Sequence, residues 1–256
     1  KTKRTMFYKM MVPGQGKHDI ERSEQIIDLI PAYEQLIESV TARTEEHLVE
    51  LRSKRDGLPP QYWEHPVVRR DPDELVYPVA IYVDGVPYSL TDGVIGWWMI
   101  NLVTDERYLI GILRKRNFCK CGCRGWCTIY HFFKELHWEL CALAEGIHPT
   151  NRHDRADWAE ADHKRRDLAG KPMGIKAALL FLKGDWAEFA ATFGFPSWKD
   201  GVRPCMCCKM FGDRLYDLLS ANLDRFCEGW EHNTDDDYFA ACDRCEITVR
   251  INDHGS

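Results

Sequence analysis

No stretch of this 256-residue chain approaches the roughly 20 consecutive apolar residues that span a bilayer. The longest apolar run, VIGWWMINLV at 94–103, is short and reads as strand. Internal repeats and low-complexity tracts are also missing, and no apolar leader-like segment opens the sequence. Positive charge is not in excess: 34 Lys and Arg stand against 40 Asp and Glu, a net charge of −6 that argues against a uniformly basic nucleic-acid-binding surface. Local basic clusters remain at Lys1, Lys3, Arg4 and at Lys164, Arg165, Arg166. These absences lead to the expectation of a soluble, nuclear or cytoplasmic protein that is neither secreted nor membrane-bound. The start at Lys1 without Met and the end in His-Gly-Ser suggest an excised fragment with vector-derived final residues. The length suits one large domain or two small ones, and 45% apolar residues suffice for an ordinary core.

What is present is cysteine, eleven residues of which nine fall in tight clusters. Cys119, Cys121, Cys123 and Cys127 lie within FCKCGCRGWC; Cys205, Cys207 and Cys208 form a second group, and Cys242 and Cys245 a third. Thiolates bind Zn²⁺ tetrahedrally, and Cys-x-Cys or Cys-x₂-Cys spacings let a short loop present two sulfurs to one ion. Cys205-x₂-Cys208 and Cys242-x₂-Cys245 read as halves of one Cys₄ site, with a helix at 215–226 inside the loop it closes. The first cluster can close around a second ion, although its Cys-x-Cys-x-Cys geometry is cramped and His131 could replace one sulfur. Two structural Zn²⁺ ions are expected. The odd cysteine count and the chain length argue against a disulfide scaffold. Cys141 and Cys227 read as buried inert thiols, and Cys207 as ligand or bystander.

Apolar spacing predicts helix across residues 20–56, divided or kinked at Pro31, then a proline-rich linker, GLPPQYWEHP. Three strand-like runs follow at 76–83, 94–103 and 108–113, reading as an antiparallel meander. A helix over about 128–144 ends at Gly146, a run at 175–182 reads as a central strand buried on both faces, and a short helix covers 186–193. EITVRI, 246–251, would be a further strand. The order β-β-β-α-β-α is that of a ribonuclease H-like fold. The expected class is thus α+β: a mixed sheet with helices, an N-terminal helical region and linker at 1–70, a core at 71–200 with a Cys-rich insertion at 117–128, and a zinc-binding region at 201–256.

In such a fold the two acids that matter sit on the first strand and at the end of the fourth, which are sheet neighbours. Asp84 and Asp185 occupy those places. Paired carboxylates bind Mg²⁺ or Mn²⁺, the ions of phosphodiester transfer. Taken singly, Asp84 before a Gly is an ordinary turn former and Asp185 before Trp186 an ordinary helix cap. Asp92 reads as another turn residue. His148, His153, Asp154, Asp157, Asp162 and His163 in HPTNRHDRADWAEADH could ligate metal, but read first as a solvated loop, as does Asp235-Asp236-Asp237. Trp97, Trp98 and Trp126 read as core and not as base-stacking platforms.

IYVDGVPYS together with LKGDWAEFAATFGFPSW and the following CMCC resembles transposases of the DDE class, particularly CACTA-type and Plavaka-type elements. CGCRGWC with GIHPTNRHD and KGDW also resembles repetitive mobile-element proteins of unicellular eukaryotes. The resemblance covers about residues 75–210. It implies a catalytic Asp185 ending the fourth strand, an apolar helix, Gly194-Phe195 and a zinc half-site at Cys205 and Cys208, with DNA as partner and self-association left open. Two departures stand out: CGCRGWC is not part of the CACTA pattern, and the third acid has no clear place, since Asp253 lies too near the last strand while Glu228 and Glu231 precede it. Beside a zinc-stabilised nucleotidyl transferase or nuclease stands a non-catalytic zinc module recognising nucleic acid or a protein. A catalytic zinc held by His148, His153 and a Cys cluster is a third reading, disfavoured because the cysteines can complete four ligands alone.

Overall fold

The structure, a computed structural model, describes residues 7–16, 21–42, 45–90, 92–123, 125–197, 199–202, 205, 207–209, 231–234, 236–237 and 240. The chain divides into two units, Lys1–Asp185 and Trp186–Ser256. The class is mixed α+β, with a four-stranded mixed sheet and helices in the first unit.

The first unit opens with an antiparallel hairpin, β1 (Tyr8–Gly14) and β2 (Ser23–Leu29), in register from Tyr8 opposite Leu29 to Gly14 opposite Ser23. This corrects the expectation of helix from residue 20. Ile26, Ile27, Leu29 and Ile30 suit a helical period, but Gln25, Ile27 and Leu29 turn inward at period two while Ile26 is exposed. Strand β1 supplies the hydrogen-bonding partner that settles the choice, a non-local contact that overrides local pattern. Helix α1 (Ala32–Thr41) begins directly after Pro31, and α2 (Glu45–Arg55) follows.

The proline-rich segment expected to be a linker instead forms two short helices, α3 (Pro60–Glu64) and α4 (Pro66–Arg70), each with Pro in its first turn, where the missing N–H is no loss. Tyr62 is fully buried among Val67, Val68, Val76 and Ala178, and its hydroxyl donates to the Val76 carbonyl at 2.8 Å.

The meander is as expected: β3 (Val76–Pro87), β4 (Gly93–Asn101) and β5 (Arg107–Arg114) pair antiparallel. Helix α5 (Trp126–Glu145) then crosses the sheet, ending at Gly146 with φ +69°, and short α6 (His163–Leu168) precedes β6 (Lys176–Lys183). The crossover lays β6 parallel to β3, giving the order β5-β4-β3-β6. Among the described residues β6 is an edge strand with Leu179, Phe181 and Leu182 exposed, so the expectation of a doubly buried central strand is not met there.

Helix α5 covers the sheet face that carries Val83 and Trp97. Phe132 is fully buried with its ring 4.6 Å from that of Trp97, and burying a side chain of this size stabilises the fold by about 1.5–3 kcal/mol. In the second unit, α7 (Trp186–Phe193) packs Phe189 against Phe193 and Phe195. The expected helix at 215–226 and strand at 246–251 lie outside the described residues.

Candidate metal centres

The loop between β5 and α5 folds back so that the Sγ atoms of Cys119, Cys121, Cys123 and Cys127 all lie within 4.8 Å of one another. A tetrahedral zinc with bonds of about 2.3 Å requires sulfurs about 3.8 Å apart. Cys121 Sγ and Cys127 Sγ are 3.8 Å apart. The donor set could therefore hold a metal such as zinc, and the expected crowding of the Cys-x-Cys-x-Cys spacing is relieved by glycine. Gly122 takes φ +93° and Gly125 φ +89°, conformations costly to other residues. A Cβ on Gly125 would also lie 2.4 Å from the Phe118 ring.

Cys127 belongs to the first turn of α5, and its backbone N–H points at Cys123 Sγ at 3.4 Å. Backbone hydrogen bonding from Cys123 draws the Cys121 thiol down to about 7, whereas burial pushes Cys127 up to about 12 and also raises Cys119. Four thiols this close cannot all ionise without a cation between them. Thr128, absent from the expected set, holds the loop: its hydroxyl accepts the Cys119 N–H at 3.0 Å and donates to the Pro13 carbonyl at 2.5 Å, tying the cluster to β1. His131 is not part of the group; its Nδ1 lies 2.8 Å from the Cys127 carbonyl, one helical turn back.

In the second unit, Cys207 N–H points at Cys205 Sγ at 3.4 Å, and Cys208 is buried where its backbone bridges His232. Cys242 and Cys245, the other half of that expected site, lie outside the described residues, as does Cys227. The acidic run at 235–237 does not end as a plain solvated loop. Thr234 and Asp237 cap each other reciprocally, Thr234 N–H to Asp237 Oδ2 at 3.0 Å and Asp237 N–H to Thr234 Oγ1 at 3.2 Å.

Asp84 lies on β3 and Asp185 just past the end of its parallel neighbour β6, and a register shift between the two strands precedes both. Strand β3 pairs with β6 as Val76 with Lys176 through Val79 with Leu179, then skips Leu180, so that Tyr82 faces Lys183. The recorded pairing ends there, with Asp84 two residues further along β3 and Asp185 two residues past the end of β6. Asp84 and Tyr82 share the sheet face opposite α5, the Tyr82 hydroxyl donating to Asp84 Oδ2 at 3.2 Å. Burial foremost, and then the charges of Asp84 and Asp185, hold the Tyr82 phenol above its ordinary value. Opposite Asp84 stands Gly96, over which the Trp98 ring lies, reaching to 5.7 Å from the Tyr82 ring. Among the described residues no third His, Cys, Asp or Glu groups with the two acids; Asp253 and Glu228 lie outside them, and Glu231 pairs with Lys209.

The His and Asp segment at 148–163 forms a partly buried ion-pair network and not a metal site. Asp162 accepts from Arg152 at 3.0 Å and from Arg165 at 2.6 Å, and Arg165 Nε also reaches Glu34 at 2.5 Å. His153 Nδ1 meets the Tyr8 hydroxyl at 2.5 Å. Asp154 accepts the Ala156 N–H, and Asp157 accepts from Asn151. Asp92 is a turn organiser as expected, accepting the Gly93 and Arg116 backbone N–H groups and pairing with Arg114 at 2.9 Å. Cys141 is exposed, not buried, with His137 Nε2 3.5 Å away.

No sequence signal pointed to Glu135 and Glu139, fully buried one turn apart on the α5 face that carries Phe132 and Leu136. Glu139 Oε2 accepts the Ala32 and Tyr33 N–H groups at 2.5 and 3.1 Å, capping α1 where Pro31 offers no side-chain cap. Burial pushes Glu135 well above the ordinary carboxylate range and Glu139 up to about 7. The two backbone donors favour charge on Glu139, whereas burial and the Glu139 charge hold Glu135 toward its neutral form.

Compared with protein-family models, curated proteins and solved structures, the chain has no match. Among the described residues no helix is long and apolar enough to cross a membrane.

Proposed function

We propose that the chain is a divalent-metal-dependent phosphodiester-processing domain, a nucleotidyl transferase or nuclease of ribonuclease H-like, transposase-like type, with DNA as substrate and a zinc knuckle at Cys119, Cys121, Cys123 and Cys127. The observation that supports the reading is the placement of Asp84 on β3 and of Asp185 just past the end of its parallel neighbour β6, where the charges of both act on the Tyr82 phenol, in the sheet order β5-β4-β3-β6. That order, three antiparallel strands, a crossover helix and a parallel strand beside the first, is the arrangement expected for this chemistry. Asp84 and Asp185 would hold Mg²⁺ or Mn²⁺, which when bound neutralises phosphate charge and stabilises the leaving oxygen. Tyr82 orients the Asp84 carboxylate by its hydrogen bond, and Trp98 walls the same face. Gly96 places no side chain opposite Asp84. The knuckle at the start of α5 contributes a folded loop anchored to β1 through Thr128.

One observation favours the non-catalytic alternative, a zinc module that recognises nucleic acid or protein: two acids stand without a third among the described residues. Cleavage of end-labelled DNA in Mn²⁺, with zinc measured on each preparation, separates the two. Asp84→Asn and Asp185→Asn should each lower the rate at least about a hundredfold at unchanged zinc content. Zinc-loaded wild type that neither cleaves nor holds a weaker Mn²⁺ lost in the double variant leaves the binding module.

A further inference from the structure

Helix α5 turns six side chains to solvent, Trp126, Tyr130, Lys134, His137, Cys141 and Glu145, at steps of three and four residues along one stripe. Such a face is normally polar throughout. Here its first two positions are large aromatics, Trp126 at 44% and Tyr130 at 49% exposure, which overturns the expectation that Trp126 belongs to the core. Their rings are 6.2 Å apart, and Trp126 is braced from below by Phe133 at 5.8 Å. The Lys134 ammonium lies 5.9 Å from the Tyr130 ring centre. Toward the C-terminal end the stripe borders an open groove of about 1280 Å³, whose far side is the 147–155 segment.

Charge decides what such a groove receives. Its acids are already matched, Glu145 by Arg70 at 2.9 Å and Asp154 by Arg152 at 3.8 Å and the Ala156 N–H. Its cations Lys134 and Arg155 have no ion-pair partner among the described residues. Arg155 is exposed, and its φ of +67° is a conformation uncommon outside glycine. Exposed rings followed by Lys134 along about 12 Å of helix, with Arg155 across the groove, suit stacked bases followed by phosphates. An apolar protein partner would find Lys134 and Arg155 at the centre of its interface.

We infer that this face of α5, from Trp126 and Tyr130 to Lys134, together with Arg155 across the groove, binds single-stranded nucleic acid by stacking bases on the two rings and pairing phosphates with the two cations. Duplex DNA does not satisfy the site, because its bases are stacked on each other and their faces are not available. The inference shares the nucleic-acid part of the proposed function but does not depend on Asp84 or Asp185.

The test is fluorescence anisotropy of labelled 12-mer oligo(dT) and oligo(rU) on the full zinc-loaded chain, without added Mg²⁺ or Mn²⁺, over a salt series. A Trp126→Ala, Tyr130→Ala double variant should bind at least about tenfold more weakly, because it removes both stacking platforms, and Trp126→Phe, Tyr130→Phe should restore most of the affinity. Lys134→Glu, Arg155→Glu should weaken binding and flatten the log K against log salt slope by about 0.7 for each phosphate no longer neutralised. This second pair lies away from the cysteines, so it speaks even where Trp126→Ala disturbs the metal loop. Equal weakening of the DNA and RNA oligomers assigns the site to both. The inference is overturned if wild type binds neither oligomer, if the charge-reversed variant binds like wild type, or if Trp126→Ala dissociates a dimer without changing oligonucleotide affinity. Cleavage that persists in a variant binding as wild type does sinks this inference alone, whereas stacking-dependent binding without any cleavage sinks the catalytic reading alone.

Discussion

The buried pair Glu135 and Glu139 makes stability depend on pH in the direction opposite to that of most carboxylates. Glu139 titrates at about 7 in the folded chain against an ordinary value of 4.5, the first cause being burial. A group whose folded value is raised contributes its full stability below its unfolded value and loses it as pH rises through the folded value. The window for Glu139 therefore runs from about 4.5 to about 7, and at 1.36 kcal/mol per unit the loss across it is on the order of 3 kcal/mol. Glu135, pushed further up by burial and by the Glu139 charge, extends the loss to higher pH. Glu135→Gln keeps the shape and a donor toward Glu139 while removing one titration. Urea unfolding followed by circular dichroism at pH steps from 5 to 8, with zinc present throughout, should show wild type losing stability with rising pH and the variant losing clearly less. Equal slopes for the two proteins would mean that the pair is hydrated or separated in solution, and the argument from burial would fail.

Cys119→Ser should remove one equivalent of zinc by elemental analysis and lower the unfolding midpoint, because the binding energy of a structural zinc is folding energy. Gly125→Ala should impair zinc retention against a chelator while leaving far-ultraviolet dichroism near wild type, since the new methyl meets Phe118 and the backbone there is left-handed. Arg165→Met should cost about 3 kcal/mol in urea unfolding, as it leaves Asp162 and Glu34 short of their shared cation in a buried setting. Phe132→Ala should cost about 3–5 kcal/mol by the same measurement, through the cavity left beneath Trp97.

Elements with a strong local signal were legible from residues alone. The β-branched and aromatic runs of β3, β4 and β5 alternate with turn residues. The apolar spacing of α5 stops at a glycine, and four cysteines within nine positions announce a metal loop whatever surrounds them. Tertiary structure decided what local signals leave open. Residues 23–29 fit both helix and strand by pattern, and only pairing with β1 resolves them. The proline-rich 57–66 segment looked unstructured because prolines bar a long helix, yet Tyr62 found a buried niche and two single turns suffice to fill it. Glu135 and Glu139 resemble surface positions by type, and the burial of Glu139 follows from the non-local demand of the α1 N-terminus for an acceptor. Their places in the expected strand order named Asp84 and Asp185, but which residues of β3 and β6 stand opposite each other depends on a one-residue register shift, and register is a property of two strands that neither strand's sequence holds alone.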